Sequence, residues 1–373
     1  MSLAEKINAK NTPKKLLALD GGGIRGMITV EILAKIEAIL RTELGRGKKF
    51  RLCEYFDYVG GTSTGAIIAT CLSCGMSVDE IRKFYLESGE EMFDKASILK
   101  RFRYSYEDKK ISKKLRDVFG KQTTLGTSNL KTLLMMVMRN ATTDSPWPVS
   151  NNPKAKYNDK RREDCNLHIP LWQLIRASTA APVFFPPEVV EMGKHQFVFV
   201  DGGITPYNNP AFQLFLMATL EPYQLCWPTG EEKMLIVSIG TGTSPVANQD
   251  LGPSDMNLIY NATSLPSALM YASLNEQDLL CRAFGKCLAG DLLDNEVGDL
   301  IKKQGPVKPK LFTYLRYNAE LTAKGLMALG VGKIKPEDVQ QLDSVEHVKD
   351  LQQVGKAVGE KRVKRQHFHD FLA

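Results

Sequence analysis

Asp57-Tyr58-Val59-Gly60-Gly61-Thr62-Ser63-Thr64-Gly65-Ala66-Ile67-Ile68-Ala69 is the stretch whose reading decides the fold. Phe56 to Val59 reads as the end of a buried strand, and Ala66 to Leu72, small and apolar, as the start of a buried helix. Between them lies Gly61-Thr62-Ser63-Thr64-Gly65, a G-x-S-x-G pattern. On a strand-turn-helix this pattern is a nucleophile elbow, a strained turn that lifts the serine hydroxyl clear of the backbone. Gly61 and Gly65 are then required by the sharp turn and by the close passage of the helix. Taken alone the pattern also arises in glycine-rich loops, so its partners elsewhere in the chain decide its meaning.

Upstream, Lys14-Lys15-Leu16-Leu17-Ala18-Leu19-Asp20 reads as a central strand and ends in Gly21-Gly22-Gly23-Ile24-Arg25-Gly26. Met27 to Leu44 follows with apolar residues at Ile28, Ile32, Leu33, Ile36, Ile39 and Leu40, the spacing of a helix with one buried face. Strand, glycine loop and helix together point backbone N–H groups at a negative charge. Three readings compete for the loop. Gly21-x-Gly23-x-x-Gly26 matches a dinucleotide fingerprint, which wants an acidic residue ending a second strand about 20 residues on. The chain there instead passes through one helix into a Gly/Lys/Arg turn, Gly45 to Lys49. A phosphate loop of the Walker type is excluded because no Gly-Lys-Ser/Thr follows. The third reading is an oxyanion hole, whose donors are worth about 3–4 kcal/mol each in the transition state. The serine elbow on the next strand-turn-helix unit favours it.

Downstream, Phe197-Val198-Phe199-Val200 is strand-like and runs into Asp201-Gly202-Gly203. An aspartate at a strand's carboxyl end sits where ligands bind in open α/β sheets; an ordinary Asp-Gly turn is the competing reading. Leu235 to Ile239 is a further strand, running into Gly240-Thr241-Gly242-Thr243.

The remaining pattern sketches the rest of the chain. Val78 to Met92 reads as an amphipathic helix, with Ser77 and Glu80 as a capping box. Lys95 to Lys121 is basic and aromatic, Leu130 to Arg139 a strand, and Ala141 to Asn166 a polar loop carrying Lys154, Lys156, Lys160, Arg161 and Arg162. Leu171 to Ala181 is helical until Pro182 and Pro186-Pro187 force an extended segment. Beyond about Pro245, Leu265 to Leu280 and Val339 to Val354 read as helices, and Lys310 to Tyr317 alternates like a strand. The basic end, Lys361 to His369, is expected to fray.

Composition sets the outer limits. The 373 residues suffice for one large domain or two ordinary ones, and 43% apolar with 24% charged residues is a globular balance. A net charge of +7 without long clusters reads as ordinary solvation, and DNA is not an expected partner. Seven cysteines without framework spacing suggest a cytosolic chain, and Cys71-Leu72-Ser73-Cys74 reads as buried thiols in place of a zinc half-site. Met1 to Lys15 is no secretory signal, and runs such as Leu133 to Met138 fall short of the span of about 20 residues a bilayer needs. Membrane contact is therefore expected to be peripheral. No metal cluster or cofactor site is visible. His168, His195, His347, His367 and His369 are candidates for a triad histidine, but none follows an apolar strand in a small-residue turn.

Asp20 to Gly26, Gly61 to Gly65 and Asp201-Gly202-Gly203, in that order, resemble the patatin-like phospholipase family of lipid acyl hydrolases. The run Ala177 to Pro186 and the turn Ile239 to Thr243 also look like family elements, and the resemblance covers residues 14 to 245. It implies a three-layer α/β/α catalytic domain on a mostly parallel sheet over 14–245, with 246–373 as a mainly helical extension packed on it. It further implies a Ser–Asp dyad, with Ser63 as nucleophile, Asp201 as base and Gly202-Gly203 as the aspartate turn. The oxyanion hole would be the Gly21, Gly22, Gly23, Ile24, Arg25 and Gly26 loop, with Arg25 adding charge or locking its shape. The expected substrate is membrane phospholipid. Some bacterial members of the family degrade membranes when a signalling nucleotide arrives. A bacterial chain of that kind, gated by a cyclic nucleotide at basic segments 100–114 and 154–162, is the alternative, and a homo-oligomer is compatible with either.

Overall fold

Lys14–Leu19 (β1), Tyr58–Thr62 (β2), Leu133–Asn140 (β3), Ser145–Ser150 (β4), Glu188–Met192 (β5), His195–Asp201 (β6), Met234–Ile239 (β7), Lys286–Ala289 (β8) and Thr313–Tyr317 (β9) form one sheet. The structure, a computed structural model, describes residues 2–9, 11–93, 104–182, 185–244 and 258–372, with backbone alone at 90–91, 104–110 and 258–267. Lys100, Arg101, Phe102 and Arg103 of the first basic segment, Val183 and Phe184, and the boundary at 245 lie outside the described residues. The helices in chain order are α1 (Leu3–Asn8), α2 (Gly26–Glu43), α3 (Leu52–Tyr55), α4 (Thr64–Ser73), α5 (Val78–Phe93) and α6 (Tyr104–Phe119). They continue with α7 (Leu171–Ser178), α8 (Ala211–Thr219), α9 (Leu258–Phe284), α10 (Ala323–Ala328), α11 (Pro336–Gln340) and α12 (Val348–Arg362).

The strand order is β5-β6-β3-β2-β1-β7-β9-β8, with β4 paired to β3 outside this path. Pairing is parallel from β3 through β2, β1, β7 and β9 to β8, and antiparallel where β4, β5 and β6 join. Side chains alternate across a strand, so each central strand feeds two cores. Leu17, Leu19, Val59, Met136, Val237 and Leu315 face one core, which α2, α4, α5 and α12 complete. Leu16, Ala18, Tyr58, Met135, Ile236 and Tyr314 face the other, closed by α8 and by Cys281 of α9. The result is the expected three-layer α/β arrangement on a mostly parallel sheet. The region from residue 258 on is mainly helical, and its β8 and β9 extend the same sheet.

Three expectations are corrected. The stretch read as a polar loop, Ala141 to Asn166, contains β4, where Pro146 and Pro148 stand opposite Arg139 and Val137. Proline lacks an amide to donate, which suits a strand with one unpaired edge. The basic end does not fray: Arg365–Phe371 is a 3-10 turn with Phe368 and Phe371 fully buried. Two phenylalanines three residues apart meet on one face of that turn, and Phe368 packs edge-on against Tyr55. The helix read over Val339 to Val354 is two helices, α11 and α12, with a bend carrying His347 between them. At the other end, Ser2 and Glu5 form a capping box for α1, which tucks Ile7 and Lys6 into the fold.

Candidate active site

Ser63 stands between β2 and α4 with φ 54° and ψ −122°. Residues with a β-carbon rarely occupy that region, and such strain gathers at functional turns. Close packing explains the glycines around it. A β-carbon at Gly65 would lie 2.2 Å from the carbonyl oxygen of Leu19, and one at Gly61 2.1 Å from that of Gly65. Ser178, at the end of α7, accepts from the Ser63 amide at 3.0 Å and donates to Val137 O at 2.6 Å, tying the elbow to β3.

The strand pairing explains how Asp201 arrives. Along β3 the backbone groups alternate sides. Leu133 N donates to Asp57 O just before β2, and Ala141 N donates to Val198 O on β6, so both strands occupy one edge of β3. The other edge takes β4. Thr62 pairs with Val137 and Asp201 with Met138, so β2 and β6 run towards each other and stop at neighbouring positions. Asp201 thus reaches Ser63 from an antiparallel strand, not from the parallel crevice that the sequence suggested. Gly202 permits the contact, since a β-carbon there would lie 2.2 Å from Val137 O.

Ser63 Oγ donates to Asp201 Oδ2 at 2.7 Å, and Gly203 N donates to Asp201 Oδ1 at 2.6 Å. The carboxylate is buried. Desolvation pushes it up to about 6, against the pull of the Ser63 and Gly203 hydrogen bonds and the Arg176 charge. A carboxylate so raised is a stronger base, still ionised at neutral pH.

The loop from Asp20 to Gly26 lies alongside. A β-carbon at Gly21 would sit 2.3 Å from Asn208 Oδ1 and 3.2 Å from Ser63 Cβ, so glycine lets the loop lie close against both. Several of its backbone groups already have partners. Gly21 N donates to Asn208 O at 3.1 Å, Ile24 N to Leu342 O at 3.0 Å and Arg25 N to Gly22 O at 3.2 Å. Thr241 Oγ1 donates to Gly21 O at 2.9 Å. Among the described residues no hydrogen bond uses the amides of Gly22 and Gly23. Gly26 opens α2, whose N-terminus adds positive potential. Arg25 Nη1 donates to Gln340 O at 3.1 Å, locking the end of the loop.

The other candidates fall elsewhere. Among the described residues no histidine hydrogen-bonds Ser63 or Asp201. His367 contacts Tyr317 Oη at 2.8 Å, and His347 lies between Asp338 and Asp350. Cys71 and Cys74 are unpaired thiols, both pushed up by burial. In the second basic segment Arg161 pairs with Asp159 and Arg162 with Asp164, both at the surface. Sequence reading missed Ser178, Asn208, Arg316 and Leu342. Ser178 carried a signal as part of the run Ala177 to Pro186, and Arg316 as a charge within the apolar strand Phe312 to Tyr317.

A sequence model of the patatin-like phospholipase family matches residues 17–215. The chain is 30% identical over 244 residues to an intracellular phospholipase A2 of Caenorhabditis elegans, covering 63% of this chain and 20% of that protein. It is 26% identical over 246 residues to Patatin-T5 of Solanum tuberosum, covering 61% of this chain and 60% of that one. The chain thus spans less than two thirds of the length of either relative. Among solved structures, VipD from Legionella pneumophila aligns with 91% of this chain and 66% of its own, at 15% identity and a TM-score of 0.39.

Proposed function

The chain belongs to the patatin-like phospholipase family, and on that premise we propose that it is a lipid acyl hydrolase acting on fatty-acyl esters of membrane phospholipids. The observation that carries this reading is the 2.7 Å hydrogen bond from Ser63 to the buried Asp201. The loop that approaches Ser63 at Gly21 also carries the amides of Gly22 and Gly23, which take no partner among the described residues.

In this reading Asp201 takes the Ser63 proton as Oγ adds to the ester carbonyl carbon. The amides of Gly22 and Gly23 receive the negative charge that develops on the carbonyl oxygen. When the tetrahedral intermediate collapses, the C–O bond to the lysolipid breaks and Asp201 returns the proton to the departing oxygen. Water then attacks the acyl–Ser63 ester, Asp201 taking its proton and passing it to Ser63 Oγ as the fatty acid leaves. A carboxylate is a weak base towards an alcohol, and the upward shift of Asp201 to about 6 narrows that mismatch. The N-termini of α2 and α4 favour the same negative charge.

Among the described residues no helix is long and apolar enough to cross a membrane, so contact with the bilayer is peripheral in this reading. The test is fatty-acid release from mixed phospholipid vesicles by wild type, Ser63→Ala and Asp201→Asn, with and without cyclic oligonucleotides. Release by wild type alone supports the dyad, and release only with a nucleotide supports the gated form of the same enzyme. Unchanged release in Asp201→Asn would sink the dyad.

A further inference from the structure

We propose that Arg316 is a positioning residue for the oxyanion loop, clamping it through Asp20; this rests on the hydrolase reading above. Asp20 directly follows β1 and is the first residue of the loop, so its carboxylate sets where the next three peptide groups start. Arg316, on β9, reaches across β7 and donates to Asp20 through Nη1 at 2.9 Å and Nη2 at 2.5 Å. Nη1 also donates to Ser238 Oγ on β7 at 2.8 Å, which fixes the plane of the guanidinium. Both side chains are out of solvent, 5% and 2% exposed. Behind Arg316, Asp278 of α9 lies 4.0 Å from Nε and forms a second buried pair with Arg282 at 2.6 Å. Arg282 in turn donates to the carbonyl oxygens of Asp291 and Asp299. A run of four buried charges therefore ends on the loop.

Stability alone gives a weak reason for such a run. A buried ion pair repays its desolvation poorly, and well-packed apolar residues often serve as well or better. What the pair supplies is geometry, since a forked guanidinium on a carboxylate has one good arrangement. The far side of the loop is pinned too. Leu342 O holds the Ile24 amide and Gln340 O holds Arg25. Fixed at Asp20 and at Ile24, the loop can present the Gly22 and Gly23 amides in one place. Arg316, Gln340 and Leu342 all lie beyond residue 215, where the family match ends. The C-terminal region thus builds part of the oxyanion loop's support.

The test is steady-state hydrolysis of a soluble short-chain nitrophenyl ester, with melting temperatures, for wild type, Ser63→Ala, Arg316→Lys, Arg316→Gln, Asp20→Asn and the Arg316→Gln/Asp20→Asn double variant. Loss of about 1 Å of placement costs on the order of 100-fold in rate. Arg316→Gln is therefore expected to lower kcat by about that factor with KM within about twofold. Arg316→Lys, which keeps the charge, should recover part of kcat. The double variant removes both buried charges and should regain the melting temperature lost in either single variant, while its kcat stays low. A merely structural pair would regain kcat along with the melting temperature. That outcome, or an Arg316→Gln enzyme with wild-type kcat, overturns the inference while a silent Ser63→Ala keeps the hydrolase reading intact. Full activity in Ser63→Ala removes that reading and this inference together.

Discussion

A serine held at φ 54° costs about 1–3 kcal/mol of backbone strain, and the fold tolerates it at a hydroxyl that meets the buried Asp201 carboxylate. That turn leads directly into α4, which Gly65 lets pass against the Leu19 and Asp20 carbonyls. Gly65→Ala should therefore cost about 1–3 kcal/mol from overpacking and lower kcat even in enzyme that still folds, as melting curves and ester hydrolysis would show. Asp201 makes a pH prediction. In the proposed mechanism it is the base and works ionised, and its folded value of about 6 places the acid limb there. Activity measured as kcat/KM should rise with pH through a midpoint near that value. A midpoint near 4, the ordinary aspartate value, would mean that the base is not this buried group.

At the scale of elements, the Ser63–Asp201 hydrogen bond is made by two strands stopping head to head on one edge of β3. The elbow was legible because a strained turn demands glycines at set positions, and the loop because glycines between strand and helix leave amides facing outward. Asp201 was legible as a residue but not as a direction. A strand of four apolar residues looks the same whether it runs parallel or antiparallel, and only the pairing of Met138 with Asp201 settles it. Arg316 could be suspected from a charge inside an apolar strand, yet its partner lies 296 residues away in the chain. Leu342 could not be found at all, because it acts through its carbonyl, which every residue has. The C-terminal turn misled by its charge: Lys361, Lys364 and Arg365 are exposed, while Phe368 and Phe371 do the packing. Phe368→Ala should cost about 3–5 kcal/mol by denaturant unfolding, with KM for a soluble ester unchanged.

For the whole molecule, the buried Asp201 sets function against stability. The folded carboxyl keeps its proton up to about pH 6, the unfolded one only to about 4. Its contribution to stability is therefore full below about pH 4 and is lost as pH rises through 6. Asp201→Asn escapes that loss. The variant should melt above wild type at pH 8 and converge with it near pH 4, while its activity is gone at both. A variant that melts lower at pH 8 would mean that the ionised carboxylate is net stabilising where it sits. The proposed mechanism requires Ser63 to be an activated nucleophile, and the most direct measurement of that is intact mass after treatment with a serine-directed fluorophosphonate. The predicted result is one adduct per chain, mapped to Ser63, formed rapidly by wild type, slowly by Asp201→Asn and not at all by Ser63→Ala. An unlabelled wild type, or an adduct on another residue, would contradict it.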